Sequence, residues 1–146
     1  MGLLDDYSGE GGTLGIGMSP RPKAEHQDIL LNIAGNLKFN HGIFCRTEFC
    51  VDKENLKSSK APDVVIYENE DDRYPVVIIE ITTENMCKSI IKEVTKLMKS
   101  FSMIEEAFVY DYESNEWYCY GKDVDPDEPS YSPLLDVDFA DFIELE

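Results

Sequence analysis

Apolar residues in this chain never run for the roughly 20 consecutive positions that a membrane-spanning helix requires. The first residues also lack the basic start and apolar core of an export signal. Neither a membrane nor an export role is therefore expected. Cysteine is sparse and carries no ligand spacing. Cys45, Cys50, Cys87 and Cys119 form no C-x-x-C pair, and only His26 and His41 could join them. That pattern argues against a zinc site and for reduced core thiols in a cytoplasmic protein. A phosphate-cradling loop is missing too, because Gly9-Glu10-Gly11-Gly12 has neither the lysine nor the preceding strand that a P-loop needs. Positive charge is scarce, with 13 Lys and Arg against 30 Asp and Glu and a net charge of -17. Polyanion binding is driven largely by lysine and arginine neutralising phosphates, so a free-standing DNA binder would rarely have this balance. The deficit is uneven, however. From Gly121 to Glu146 the acids Asp123, Asp125, Asp127, Glu128, Asp136, Asp138, Asp141, Glu144 and Glu146 face Lys122 alone, and the remainder keeps room for a local basic patch.

What is present suits one folded domain. The chain has 146 residues, of which 42% are hydrophobic, enough for a real core. Residues 1–23 are rich in glycine and proline and read as an irregular arm, leaving 24–146 as the domain. Ile29, Leu30, Ile33, Leu37 and Phe39 recur at helical spacing over 24–39, and Asn40-His41-Gly42 supplies a stop. Residues 43–51 favour a strand by β-branched and aromatic content, and 53–60 form a polar loop. Two apolar strands follow around Val64 and Ile78, then a helix, then strands at 107–112 and 116–120 joined by Glu113-Ser114-Asn115. The order α-β-β-β-α-β-β predicts an α+β fold, a central mixed sheet flanked by helices. Leu134, Leu135, Val137, Phe139, Phe142 and Ile143 supply a last apolar element.

The chemistry concentrates in Pro62-Asp63-Val64-Val65-Ile66-Tyr67 and Val76-Val77-Ile78-Ile79-Glu80-Ile81-Thr82. Each is an apolar run with one carboxylate. Side chains alternate along a strand, and a hairpin pairing would bring Asp63 and Glu80 together at one end. Burying two carboxylates is costly without compensation, which a hard divalent cation such as Mg2+ or Mn2+ commonly provides. The following helix is amphipathic. Lys88, Lys92, Lys96 and Lys99 line one side, with Ile90, Ile91, Val94, Leu97, Met98 and Phe101 opposite. A lysine row of this kind is most simply a solvated face, and one lysine could reach the acids.

Several segments together resemble the Uma-type restriction endonuclease family, a branch of the PD-(D/E)XK nuclease-like superfamily. They are Met18-Ser19-Pro20, Glu25-His26-Gln27, Pro62-Asp63-Val64-Val65, Val77-Ile78-Ile79-Glu80-Ile81 with Thr83, Lys96-Leu97, Ala107-Phe108-Val109-Tyr110-Asp111 and Ser132-Pro133-Leu134-Leu135. No single segment is specific, but the order and spacing are shared over most of the chain. The resemblance implies a restriction endonuclease-like core in which Asp63 and Glu80 hold Mg2+ or Mn2+ and Lys96 assists the attacking water, with Lys92 as substitute. Thr82 stands where the plain superfamily motif has its strand lysine, which displaces that role to the helix. Glu25 and His26 are auxiliary candidates from the first helix. The implied activity is metal-dependent hydrolysis of DNA phosphodiesters.

A different class of function fits the acidity better, namely a nuclease-like module that no longer cuts and acts through interaction as a homodimer. The two readings separate on one feature. In a hydrolytic site Asp63, Glu80 and Lys96 converge, whereas in the inert module Lys96 points to solvent. A small-molecule phosphohydrolase lacks a supporting phosphate loop. Trp117, Tyr118 and Tyr120 are more simply strand packing than base-stacking groups.

Overall fold

The computed structural model describes residues 24–47, 61–72 and 74–143. The expected N-terminal arm and the 53–60 loop lie outside the described residues. Helix α1 covers Ala24–Gly35, with Ile29, Leu30 and Ile33 buried at helical spacing. It does not continue as an ordinary helix to Phe39, as its periodicity predicts, but widens into a π-helical segment, Asn36–Asn40. The amides supply the reason. Asn36 Nδ2 donates to the Asn32 carbonyl at 2.8 Å, so this side chain competes with the backbone ladder, and Asn40 Nδ2 donates to Asn36 Oδ1 at 2.6 Å, holding the Asn36 amide in place. Gly42, at φ +65°, then reverses the chain, and the Ile43 amide donates to the Leu37 carbonyl at 2.9 Å.

Five strands form one sheet: β1 (Cys45–Thr47), β2 (Val64–Ile66), β3 (Val77–Thr82), β4 (Glu106–Asp111) and β5 (Glu116–Gly121), in that spatial order. Only β3 and β4 run parallel. A parallel pair needs a crossover connection, and helix α2, Cys87–Ser100, supplies it. The mixed α+β architecture and its element order are those the sequence predicts.

The sheet is covered on both faces. On one, Ile29, Leu30 and Ile33 of α1 and Leu37 of the π-helical segment pack against Val64, Ile66, Val77, Ile79, Ile81, Phe108 and Tyr110. On the other, Cys87, Ile90 and Val94 of α2 pack against Val65, Tyr67, Ile78, Ala107 and Val109. This two-sided burial is why β3 and β4 read as continuous apolar runs rather than alternating ones. The last apolar element is a strap over the α1 face, consisting of a small hairpin of β6 (Tyr131–Ser132) and β7 (Val137–Asp138) and a 3-10 turn at Phe139–Phe142.

Two glycines make opposite predictions. Gly121 sits at φ +148°, where a Cβ would lie 2.6 Å from the Glu105 carbonyl oxygen, whereas Gly35 has open space around it and φ -64°. Gly121→Ala should destabilise the fold by about 2 kcal/mol or more. Gly35→Ala should stabilise it by about 0.5–1 kcal/mol. Urea unfolding of the two variants checks both signs.

Candidate acidic site at the end of the central strands

Register brings the two predicted acids together. Val64 pairs with Ile79, so one further step along the antiparallel ladder sets Asp63 across from Glu80. The two carboxylates nevertheless differ in surroundings. Asp63 lies just before β2, and its Oδ2 accepts the Ile81 amide at 2.7 Å. His26 approaches from the first turn of α1, with Nε2 3.3 Å from the same oxygen, and its ring meets Tyr112 edge-on at 6.5 Å. Asp63 thus joins α1 to the end of β3 through one carboxylate. Glu80 itself lies on the α2 side of the sheet. Ile79 and Ile81 pack toward α1 and Ile78 toward α2, so alternation turns Glu80 and Thr82 toward α2. Glu80 is only 7% exposed and Thr82 5%.

A third buried acid adjoins this pair. Asp111 ends β4 beside Thr82 in the parallel register and is 2% exposed. Its Oδ1 accepts the amides of Glu113 (3.0 Å) and Ser114 (3.3 Å), fixing the β4–β5 turn. Glu116 stands opposite Asp111 on β5 and accepts from the Tyr118 hydroxyl at 3.0 Å. That hydrogen bond leads the causes that push the Tyr118 phenol up to about 12, with desolvation behind it. Cys87 begins α2 in the same neighbourhood. Burial first, then the charges of Asp111 and Glu116, raise its thiol pKa. It is therefore a neutral packing thiol, although helix N-termini ordinarily favour thiolates. Sequence reasoning missed Thr82 and Asp111 as members of this end. The available signal was a carboxylate closing an apolar run, the same pattern that singled out Glu80.

The other predicted residues lie elsewhere. Lys88, Lys92, Lys96 and Lys99 are all exposed. At about 3.6 residues per turn, Lys96 sits about 160° around the helix from buried Val94, so it faces solvent instead of the acids. Glu25 is exposed and borders a separate cavity of about 470 Å3 with Asp28, Tyr110, Tyr112 and Asn115. Burial first, then the Glu25 charge, raises the Tyr110 pKa.

Two carboxylates suit a hard cation that keeps most of its water, as Mg2+ does. Among the described residues, no group of three or more His, Cys, Asp or Glu is arranged to hold a metal ion. Asp63 also has one oxygen engaged by the Ile81 amide and His26. No helix among the described residues is long and apolar enough to cross a membrane. No family model matches the chain, and no curated protein matches it.

The Asp63 clamp makes a separable prediction. Asp63→Ala leaves the Ile81 amide without its acceptor and should destabilise the fold by about 1–3 kcal/mol. Asp63→Asn keeps a carbonyl oxygen for that amide and should lose less than half as much. Thermal or urea unfolding without added metal distinguishes them.

Proposed function

We propose that this chain is a metal-dependent nuclease-type domain acting on DNA phosphodiesters, with Asp63 and Glu80 as the ligands of Mg2+ or Mn2+. The observation that carries this reading is the ladder register setting Asp63 across from Glu80 at the end of the central strands. The order of a helix, three strands, a crossover helix and a further strand supports it, as does the resemblance of the residues that occupy those elements. A divalent ion held there supplies polarisation of the phosphate and a lowered pKa for its bound water. His26 orients Asp63 through Oδ2. Lys88, Lys92, Lys96 and Lys99 form an exposed basic row in an otherwise acidic chain and attract the nucleic-acid backbone. Lys96 contributes charge there instead of assisting the water. The free thiols of Cys45, Cys87 and Cys119 suit a cytoplasmic setting.

The outward position of Lys96 favours a second reading, a nuclease-like module that does not cut and serves as a homodimeric interaction domain. The net charge of -17 points the same way, and fold alone does not imply activity.

Nicking of supercoiled plasmid with Mn2+ or Mg2+ at low salt separates the two. The nuclease reading predicts metal-dependent nicking that falls by at least about 100-fold in Glu80→Gln, as expected for loss of a metal-site partner. It predicts only a several-fold loss in Lys96→Ala, with that loss shrinking as salt rises because the variant neutralises one phosphate fewer. An inert wild type that sediments as a dimer supports the module instead.

A further inference from the structure

β5 closes the sheet on one side, and no strand among the described residues pairs with its outer edge. An edge strand presents a row of backbone N–H and C=O groups, and folded chains ordinarily blunt it with a short strand, a lysine or proline, a bulge or a covering segment. The opposite edge of this sheet follows that practice. β1 is three residues long and carries the exposed Arg46. β5 does not. It is six residues long, Glu116-Trp117-Tyr118-Cys119-Tyr120-Gly121, with no proline and no basic residue. All six pair with β4 in unbroken register, so no bulge interrupts it. Its two faces are covered, since Trp117 stacks on Tyr110 at 4.6 Å on the α1 side and Tyr118 and Tyr120 pack on the α2 side. Among the described residues, however, no backbone hydrogen bond from a loop or turn reaches 117–120.

The strand is complementary to itself. Two copies of β5 pair antiparallel only about a two-fold axis normal to the sheet, which keeps the α1 face of one continuous with the α1 face of the other. Directly opposed residues share a face, so odd positions oppose odd ones and even positions oppose even ones. Of these registers, the one centred on Cys119 matches charge. It sets Trp117 across from Gly121 of the second copy, Tyr118 across from Tyr120 and Glu116 across from Lys122. Glu116 is the one carboxylate of β5, Lys122 is the single Lys or Arg from Phe101 onward, and both are exposed. Symmetry makes this pair twice. Centring on Tyr118 instead sets Lys122 against Ser114 and Glu113 against Asp123, and centring on Tyr120 sets Lys122 against Tyr118 and Glu116 against Val124. Opposite charges and aromatic pairs stabilise opposed strands, whereas like charges destabilise them.

We propose that β5 is a self-association edge, at which two copies of this chain pair antiparallel through Glu116–Gly121, centred on Cys119, and join their five-stranded sheets into one. The backbone groups of the edge supply the hydrogen bonds, and the two Glu116–Lys122 pairs set the register. With the axis normal to the sheet, both α2 helices lie on one face, and their lysine rows flank the seam from the same side. The strands of the second copy run in reverse, so its Asp63 and Glu80 lie toward the other end of the joined sheet. The seam requires neither cutting nor its absence. It therefore stands apart from the choice between nuclease and inert module, while giving the dimer of the latter a defined interface.

Sedimentation equilibrium of the full chain, without metal or DNA, is compared for the wild type, Glu116→Lys, Lys122→Glu and the double variant carrying both. Salt at about 0.15 M screens charges beyond about 8 Å, which removes most of the repulsion between two acidic copies but spares opposed side chains. The edge predicts a concentration-dependent dimer in the wild type. Each single reversal turns two attractive pairs into repulsive ones and should weaken dimerisation by about 10-fold or more, and the double variant should restore it. Amide hydrogen exchange gives a reading that needs no substitution, because protection within 117–120 should rise with protein concentration. A wild type that stays monomeric at every loading, single reversals that dimerise as the wild type does, or a double variant no stronger than either single one would overturn the edge. Circular dichroism of each variant checks that these exposed substitutions leave the fold intact.

Discussion

The parallel pairing of β3 with β4 is the constraint on which the rest of the molecule depends. Parallel neighbours cannot be joined by a tight turn, so the chain must cross one face, and α2 fills that crossover. With α2 on one face and α1 with the strap on the other, all six residues of β3 and all six of β4 are buried. Any polar group on these strands must then sit at an end or be tied by hydrogen bonds. The pair obeys this rule at both ends. Glu80, Thr82 and Asp111 gather at its carboxyl end, and Glu106 opens β4 with both oxygens bonded.

The two ends differ in what their carboxylates are for. At the carboxyl end, acids from separate strands occupy opposed register positions, Asp63 on the approach to β2 and Glu80 on β3. His26 and the Ile81 amide hold one Asp63 oxygen in place. Acids set close together at a buried strand end repel one another, which is why the proposed reading places a cation there. At the amino end, Glu106 is fully committed to donors within the chain.

Much of this was legible in the sequence, for identifiable reasons. The apolar runs around Val64, Ile78 and Phe108 are long and β-branched enough to announce buried strands, and the lysine periodicity of α2 states which side faces solvent. The antiparallel pairing of the Asp63-bearing and Glu80-bearing strands, which a hairpin between the two apolar runs predicts, is present in the ladder. What was not legible depends on competition or on long-range docking. At the π-helical turn the Asn36 side chain takes the Asn32 carbonyl, an effect invisible to hydrophobic spacing. Lys96 was assigned inward by resemblance, while the helix geometry, set by Ile90 and Val94, turns it outward. Glu106 gave no signal because its donors, Ser132 and Leu134, lie 26 and 28 residues away in sequence.

The central claim is that Asp63 and Glu80 together present a cation site. The most direct test is Mn2+ titration of the isotopically labelled chain, reading paramagnetic broadening of backbone amides. The account predicts saturable broadening centred on Glu80, Ile81 and Thr82, reversed by excess Mg2+ and absent in Glu80→Gln. Broadening confined to the exposed acids after Gly121, unchanged in Glu80→Gln, would contradict it.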